Sequence, residues 1–156
     1  MRRRLHAGHG PAMQFTEHEM TIGLQGLAKA TLHPDPAIRE KAWVDLGAHG
    51  RWQRLDALGD IVLPMLVALP QVEIEPGARA EYAAEQYRTV AEARLRQETA
   101  AAGRAEMPEI GEVERERLVF ERAFMLCLVV ESMPLRQDAA GVLAAFEVPD
   151  HLPDDL

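Results

Sequence analysis

The stretch 118–130 constrains the fold of this chain most, because it is apolar on almost every side of a helix. It follows alternating glutamates in 112–116, which suit the first turns of a helix, where the dipole favours negative charge. A helix that is apolar all round has to be covered by other elements. We therefore predict a helix over about 111–133 at the centre of a helical bundle. Cys127 is expected to be buried there, with an inert thiol.

Local start and stop signals place a first helix at about 16–32. Thr16 and Glu19 form a T-x-x-E capping box, in which each side chain satisfies a backbone donor at the other position. Gly23 and Gly26 weaken this helix, but they also permit a neighbouring helix to pack closely.

The tetrapeptide 33–36, His-Pro-Asp-Pro, ends the first helix and starts a second one, with Asp35 as N-cap and Pro36 in the first turn. Apolar residues recur every four positions and define the face that we expect to be buried: Ile38, Ala42 and Leu46. Gly47 or Gly50 is expected to end this helix.

Residues 51–69 also have a helical pattern, but Gly59 and Asp60 followed by Pro64 predict a break or a kink near 59–60. Asp60 would then cap a short helix over 61–69, which is almost wholly apolar and therefore central.

Three further segments complete the expected order of elements. Residues 70–77 are predicted to form a loop, and 78–104 a long outer helix with one modest apolar face. That face comprises Tyr87, Val90, Ala91 and Leu95. A last helix is expected over about 135–147.

Residues 33–47 resemble the turn and second helix of a HEAT-type repeat. The matching positions are Asp35, Pro36, Ile38, Arg39, Ala42, Leu46 and Gly47. The Asp-Pro and Arg spacing returns as Glu75-Pro76 and Arg79, 40 residues later, and 63–69 is similar to the first helix of a following repeat. The resemblance implies paired helices whose apolar positions face each other.

The chain is thus expected to be all-α, with five to seven helices in either an irregular bundle or a short HEAT-like array of helical hairpins. One domain over 13–149 would lie between a disordered tail, 1–12, and an acidic tail, 150–156. We hypothesise that Met13 is an alternative start site to Met1.

Charge and composition restrict the classes of partner that this chain is expected to bind. The formal net charge is −8, and the first twelve residues hold three arginines and no acid, so the remainder is more acidic still. An acidic body repels nucleic acid and anionic membranes. The sequence contains a single Cys, no apolar run long enough to span a membrane and no secretory signal pattern. We expect a cytoplasmic protein that binds neither nucleic acid nor membrane.

No catalytic or phosphate-binding motif is present, and we expect no catalytic residue, cofactor or metal site. Glu131 follows an apolar run, so it is either buried as a general acid, paired with Arg136, or exposed at the helix end. His49 is a second residue that could line a pocket. The question of enzymatic activity is left open, and a non-catalytic protein is favoured.

Trp43, Arg51, Trp52 and Arg54 surround the predicted corner at 47–50. Tryptophan and arginine together are typical of an interaction hot spot, although Trp also fills gaps in a core corner. We predict a non-catalytic interaction or adaptor protein that binds a protein partner, with a basic partner the natural complement of its acidic body. The rivals are an inhibitor or immunity-type protein that blocks a basic partner with 78–104 and 112–116, an enzyme of unrecognised type, and a homo-oligomer subunit.

Overall fold

The computed structural model describes residues 14–103 and 111–137. Those residues contain five α-helices and no strand: α1 (Glu17–Ala30), α2 (Pro36–Asp45), α3 (Gly47–Ala68), α4 (Ala84–Ala102) and α5 (Glu112–Ser132). The all-α prediction is confirmed. Both predicted tails, Met13 and most of the predicted last helix lie outside the described residues, and 135–137 are not helical.

The middle of α1 approaches α5 more closely than side chains would allow. A Cβ atom on Gly23 would lie 2.6 Å from the backbone oxygen of Val129, and one on Gly26 would overlap Ser132. The expectation that these glycines permit close packing is confirmed. Their lack of a side chain sets the separation between the two helices.

Helix α5 lies at the centre of the bundle, in contact with α1, α3 and α4. The largest fully buried side chains come from α1, α3 and α5: Leu27, Val62, Met65, Leu66, Val119, Leu126, Val129 and Val130. Burial of these apolar groups is the main source of stability in a bundle of this kind.

The prediction that α5 is covered on all sides is wrong for one face. Phe120 and Phe124 are 66% and 55% exposed, and Cys127 is half-buried instead of buried. The apolar pattern extends beyond what α1, α3 and α4 cover, so one side of α5 opens on a cleft.

Helix α2 begins as its sequence predicts. The carboxylate of Asp35 accepts a hydrogen bond from Ala37 N–H at 3.0 Å, and Arg39 donates to the carbonyls of His33 and Pro34. Gly47 separates α2 from α3 with a φ of +69°, a value that favours glycine.

The predicted buried face of α2 is wrong. The helix contains no buried residue, and Ile38 and Leu46 are 48% and 36% exposed. Its neighbours among the described helices are α1 and α3, at the edge of the bundle, so its apolar stripe stays accessible.

The predicted break near 59–60 is also wrong, since α3 continues from Gly47 to Ala68 with Pro64 inside it. Asp60 therefore caps no separate helix. Proline removes one backbone donor, whereas Gly59 and Val62 before it and Met65 after it are buried against the bundle. Packing holds the helix together where local preference would interrupt it.

Helix α4 begins at Ala84, six residues later than predicted. The loop expected over 70–77 is confirmed, and non-helical chain continues through 83. Backbone hydrogen bonds explain this extension, because Gly77 N–H donates to the carbonyl of Arg136 at 2.7 Å and Arg136 N–H donates to that of Ala78 at 2.6 Å. The predicted buried face of α4 is confirmed at Tyr87, Val90, Ala91 and Leu95.

A partly buried ion pair joins the two ends of the described chain. Arg136 donates to the Glu19 carboxylate at 2.7 Å and to the carbonyl of Gln14 at 2.9 Å, while Thr16 N–H donates to the same carboxylate at 2.9 Å. Burial alone would raise the pKa of Glu19. The hydrogen bonds from Arg136 and Thr16 outweigh it and hold that pKa below its ordinary value.

We expect Gly23→Ala to lower the free energy of unfolding by about 2 kcal/mol, because the methyl group would meet a backbone oxygen that cannot move aside. Gly59→Ala is the matched control, since its Cβ would make only ordinary contacts, the nearest at 3.6 Å to Leu63. That control should be neutral or stabilising by up to about 1 kcal/mol, from helix propensity. Urea denaturation measures both, and equal effects would contradict the close approach of α1 and α5.

Glu19→Gln should destabilise the fold by about 3 kcal/mol at neutral pH, because it leaves Arg136 without its charged partner. The folded-state pKa of Glu19 lies below the ordinary value of 4.5, so its contribution is complete above that pH and is lost as pH falls through the folded-state value. The variant should therefore lose less stability on acidification than the parent. Thermal unfolding followed across this range tests the prediction, and the exposed Glu17→Gln serves as the control.

Candidate functional site

The four residues singled out around the 47–50 corner have different structural roles. Arg54 donates through Nε to the carbonyl of Ala28 at 3.0 Å and through Nη2 to the hydroxyl of Thr31. It thereby satisfies the carboxyl end of α1, where carbonyls lack partners and a cation is favoured. Arg51 does the same for α2, with Nη1 at 3.4 Å from the carbonyls of Trp43 and Val44.

The two tryptophans at this corner differ in exposure. Trp43 is half-buried, and the ammonium of Lys29 lies 5.8 Å from the centre of its ring. Trp52 is 61% exposed and stacks on His49, with ring centres 6.1 Å apart. His49 is itself exposed on the surface of α3. The structure thus brings Arg51 to the backbone of Trp43, sets Arg54 against α1, and leaves the indole of Trp52 accessible.

A cleft between α4 and α5 is the other prominent feature. It has a volume of about 440 Å³ and is walled by Tyr82, Tyr87 and Arg88 on one side and by Phe120, Phe124 and Cys127 on the other. We refer to it as the α4–α5 cleft. Glu131 and Glu85 also line it, and a second hollow formed by 79–82 continues it past Tyr82 and Glu131.

The spacing of residues along α5 places one wall of this cleft on a single face of the helix. Phe120, Phe124, Cys127 and Glu131 follow one another at intervals of four, three and four residues and so lie on one face of α5. The rings of Phe120 and Phe124 are nearly parallel, with centres 6.2 Å apart. Tyr82 meets Tyr87 edge to face at 5.6 Å. The walls are therefore aromatic, with polar groups at one end.

The thiol of Cys127 and the phenol of Tyr87, which both line the cleft, are held in their neutral forms. Burial raises the pKa of the Cys127 thiol above its ordinary value of 9.0, and the neighbouring Glu131 carboxylate raises it further. Burial likewise raises the pKa of Tyr87 well above its ordinary value, and Cys127 and Glu131 add to that effect. A protonated thiol and phenol supply weak hydrogen-bonding groups in an apolar surface, in contrast to the thiolate that a nucleophilic cysteine requires.

Of the three alternatives for Glu131, the structure selects exposure at the end of the helix. Arg136, the expected partner of Glu131, pairs with Glu19 instead. The backbone carbonyl of Glu131 accepts a hydrogen bond from Arg79 at 2.9 Å.

The α4–α5 cleft is not predicted from the sequence. Phe120 and Phe124 are four residues apart and share a helix face, but within the apolar stretch 118–130 this spacing equally predicts a buried face. Tyr82 stood in a segment predicted to be helical, where its contact with Tyr87 could not be foreseen. Gln14 carried no signal, yet its side-chain nitrogen lies 2.6 Å from the hydroxyl of Tyr82.

Within residues 14–103 and 111–137, no group of three or more His, Cys, Asp or Glu side chains is placed to hold a metal ion. No helix in that part of the chain is long and apolar enough to cross a membrane. Comparisons of the chain with protein-family models, with curated proteins and with solved structures give no match.

Glu131→Gln should lower the pKa of Cys127, because it removes a negative charge that disfavours the thiolate. At a fixed pH below that pKa, alkylation by iodoacetamide should become a few-fold faster, since its rate follows the thiolate fraction. The measurement is the pH dependence of the alkylation rate. Glu121→Gln, also exposed on α5 but outside the cleft, should leave this profile unchanged; the same shift in both variants would show that Glu131 has no specific effect.

Proposed function

We propose that this chain is a non-catalytic protein-binding domain and that Trp52 is the centre of its contact surface. The observation that carries the proposal is the exposed indole on a long helix packed into the bundle. Exposed tryptophan on a rigid element provides a large contact area at little cost in conformational entropy, and Trp is enriched at binding hot spots.

The surroundings of Trp52 favour a partner with apolar and basic side chains. Asp56 lies one turn further along the same face of α3, and Asp45 ends α2 beside the corner. Both carboxylates are exposed and have no ion-pair partner in the described parts of the chain. The guanidinium groups of Arg51 and Arg54 keep their charge but are directed at the ends of α2 and α1, whereas the two carboxylates face solvent.

The alternative of an inhibitor that blocks a basic partner with α4 and the start of α5 has less support. Glu92 and Glu116 both pair with Arg88, and Glu114 pairs with Arg117. These carboxylates are already partly neutralised by arginines of the same surface, which reduces the field that a basic partner would meet.

An enzyme is also less well supported. The α4–α5 cleft offers converging polar groups, as an active site would, but its thiol and phenol are held protonated and His49 lies on the exposed surface of α3. The resemblance of 33–47 to a HEAT-type repeat is a further argument for binding, because such repeats serve as binding surfaces.

Trp52→Ala should abolish capture of a specific partner while changing the free energy of unfolding by no more than about 0.5 kcal/mol, as for other exposed positions. The measurement combines affinity capture from a native lysate, quantified by mass spectrometry, with urea denaturation of the purified variant. Val113→Ala, which removes an exposed apolar side chain from α5, is the matched control and should retain the partner.

Two results would overturn the proposal. Unfolding of Trp52→Ala would place the indole in the core, and retention of every specific partner by a folded Trp52→Ala would remove Trp52 from the contact surface.

A further inference from the structure

The α4–α5 cleft exposes aromatic surface that the described helices leave uncovered. Phe120 and Phe124 stand at its open side, and the half-buried Cys127 lies deeper between them and Tyr87. A large apolar side chain entering this space would remove the exposed rings of Phe120 and Phe124 from water, which is favourable in proportion to the area covered.

One end of the cleft is acidic. Glu81, Glu85 and Glu131 line it or its continuation, and all three are exposed without an ion-pair partner among the residues that the structure describes. Two arginines are nearby. Arg79 donates to a backbone carbonyl, and Arg88 is engaged by Glu92 and Glu116. Arg79 keeps its positive charge, but the three carboxylates outnumber it, so the net charge at this end is negative.

The described chain begins beside that acidic end. The amide nitrogen of Gln14 donates to the hydroxyl of Tyr82 at 2.6 Å, and its amide oxygen accepts from Val72 N–H at 3.0 Å. Tyr82 lines both the α4–α5 cleft and the second hollow that continues it. Because Gln14 contacts Tyr82, the chain before Gln14 starts within a few ångströms of the cleft.

The sequence before Gln14 complements the cleft in both charge and polarity. Residues 1–12 contain Arg2, Arg3 and Arg4 with no acid, followed at once by Leu5. Leu5 lies nine positions before Gln14, a reach of about 30 Å when the chain is extended. The cleft from Glu131 to Phe120 spans eleven residues of helix, about 16 Å, so the segment is long enough to enter it from the Tyr82 end.

We propose that the arginine-rich segment 2–5 of the same chain occupies the α4–α5 cleft, with Leu5 between the aromatic walls and the arginines beside Glu81, Glu85 and Glu131. This contact is separate from the proposed partner surface at Trp52. Tethering keeps the segment at a high effective concentration, so a contact that would be weak between separate molecules is populated within one chain. Because the contact depends on opposite charges, it weakens when added salt screens them.

The single cysteine reports on this occupancy. Cys127 lines the cleft and is the only thiol in the sequence, so its rate of modification by N-ethylmaleimide, an uncharged reagent, measures how often the cleft is open. The full-length chain carrying Arg2→Gln, Arg3→Gln and Arg4→Gln should react at least about threefold faster than the parent at low salt, which corresponds to a cleft occupied about two-thirds of the time. High salt should bring the parent to the rate of this variant.

A full-length chain with Arg2→Lys, Arg3→Lys and Arg4→Lys keeps the charge and is the matched control. It should react as slowly as the parent. Equal rates for the parent and the Gln variant at low salt would overturn the proposal, as would a Lys variant that reacts as fast as the Gln variant.

Protein concentration separates the same-chain contact from two other occupants. The parent rate should be independent of concentration. Protection that increases with concentration would assign the cleft to a second copy and overturn the proposal. A synthetic peptide of residues 1–12 should slow the modification of Cys127 in the Gln variant. If the peptide gives no protection at any concentration up to its solubility limit, the segment does not bind the cleft and the proposal is wrong.

Discussion

The close approach of α1 and α5 is the constraint on which the rest of this structure depends. Gly23 brings the backbone of α1 against the Val129 carbonyl, so α5 is held at the centre with α3 and α4 around it. The same approach places the first turn of α1 next to the chain that leaves α5, where Arg136 reaches Glu19 and Gln14. Because interiors are close-packed and rigid, a change in this helix separation would move the clefts as well as the core.

Elements specified by local chemistry could be predicted from the sequence. The capping box at Thr16 and the Asp35–Pro36 start are satisfied by residues two or three positions away, so the sequence alone specifies them. The unbroken α3 and the late start of α4 could not be predicted. The first depends on burial of residues around Pro64, and the second on hydrogen bonds from 77–78 to Arg136, a partner distant in the sequence.

In the candidate sites, too, some features follow from the local sequence and others depend on tertiary contacts. The sequence does not distinguish an arginine that hydrogen-bonds to the end of a neighbouring helix from one that is free to bind a partner. The contacts of Arg51 and Arg54 in the structure show that both belong to the first kind. The exposed position of Trp52 likewise depends on how α2 and α3 meet. The pattern of α5 indicates an apolar helix, but which of its faces remains open depends on the number and placement of the helices around it.

The contact between Arg136 and Glu19 also has a consequence for biosynthesis. The two residues are 117 positions apart in the sequence, and the carboxylate of Glu19 is buried only once Arg136 has joined it. A chain emerging from the ribosome presents α1 first and its charged partner almost last, while the Val129 carbonyl that packs on Gly23 also arrives late. The contacts of α1 with α2 and α3 involve chain that is synthesised earlier, whereas its packing on α5 and the Glu19–Arg136 pair form only after nearly all of the described chain has been released.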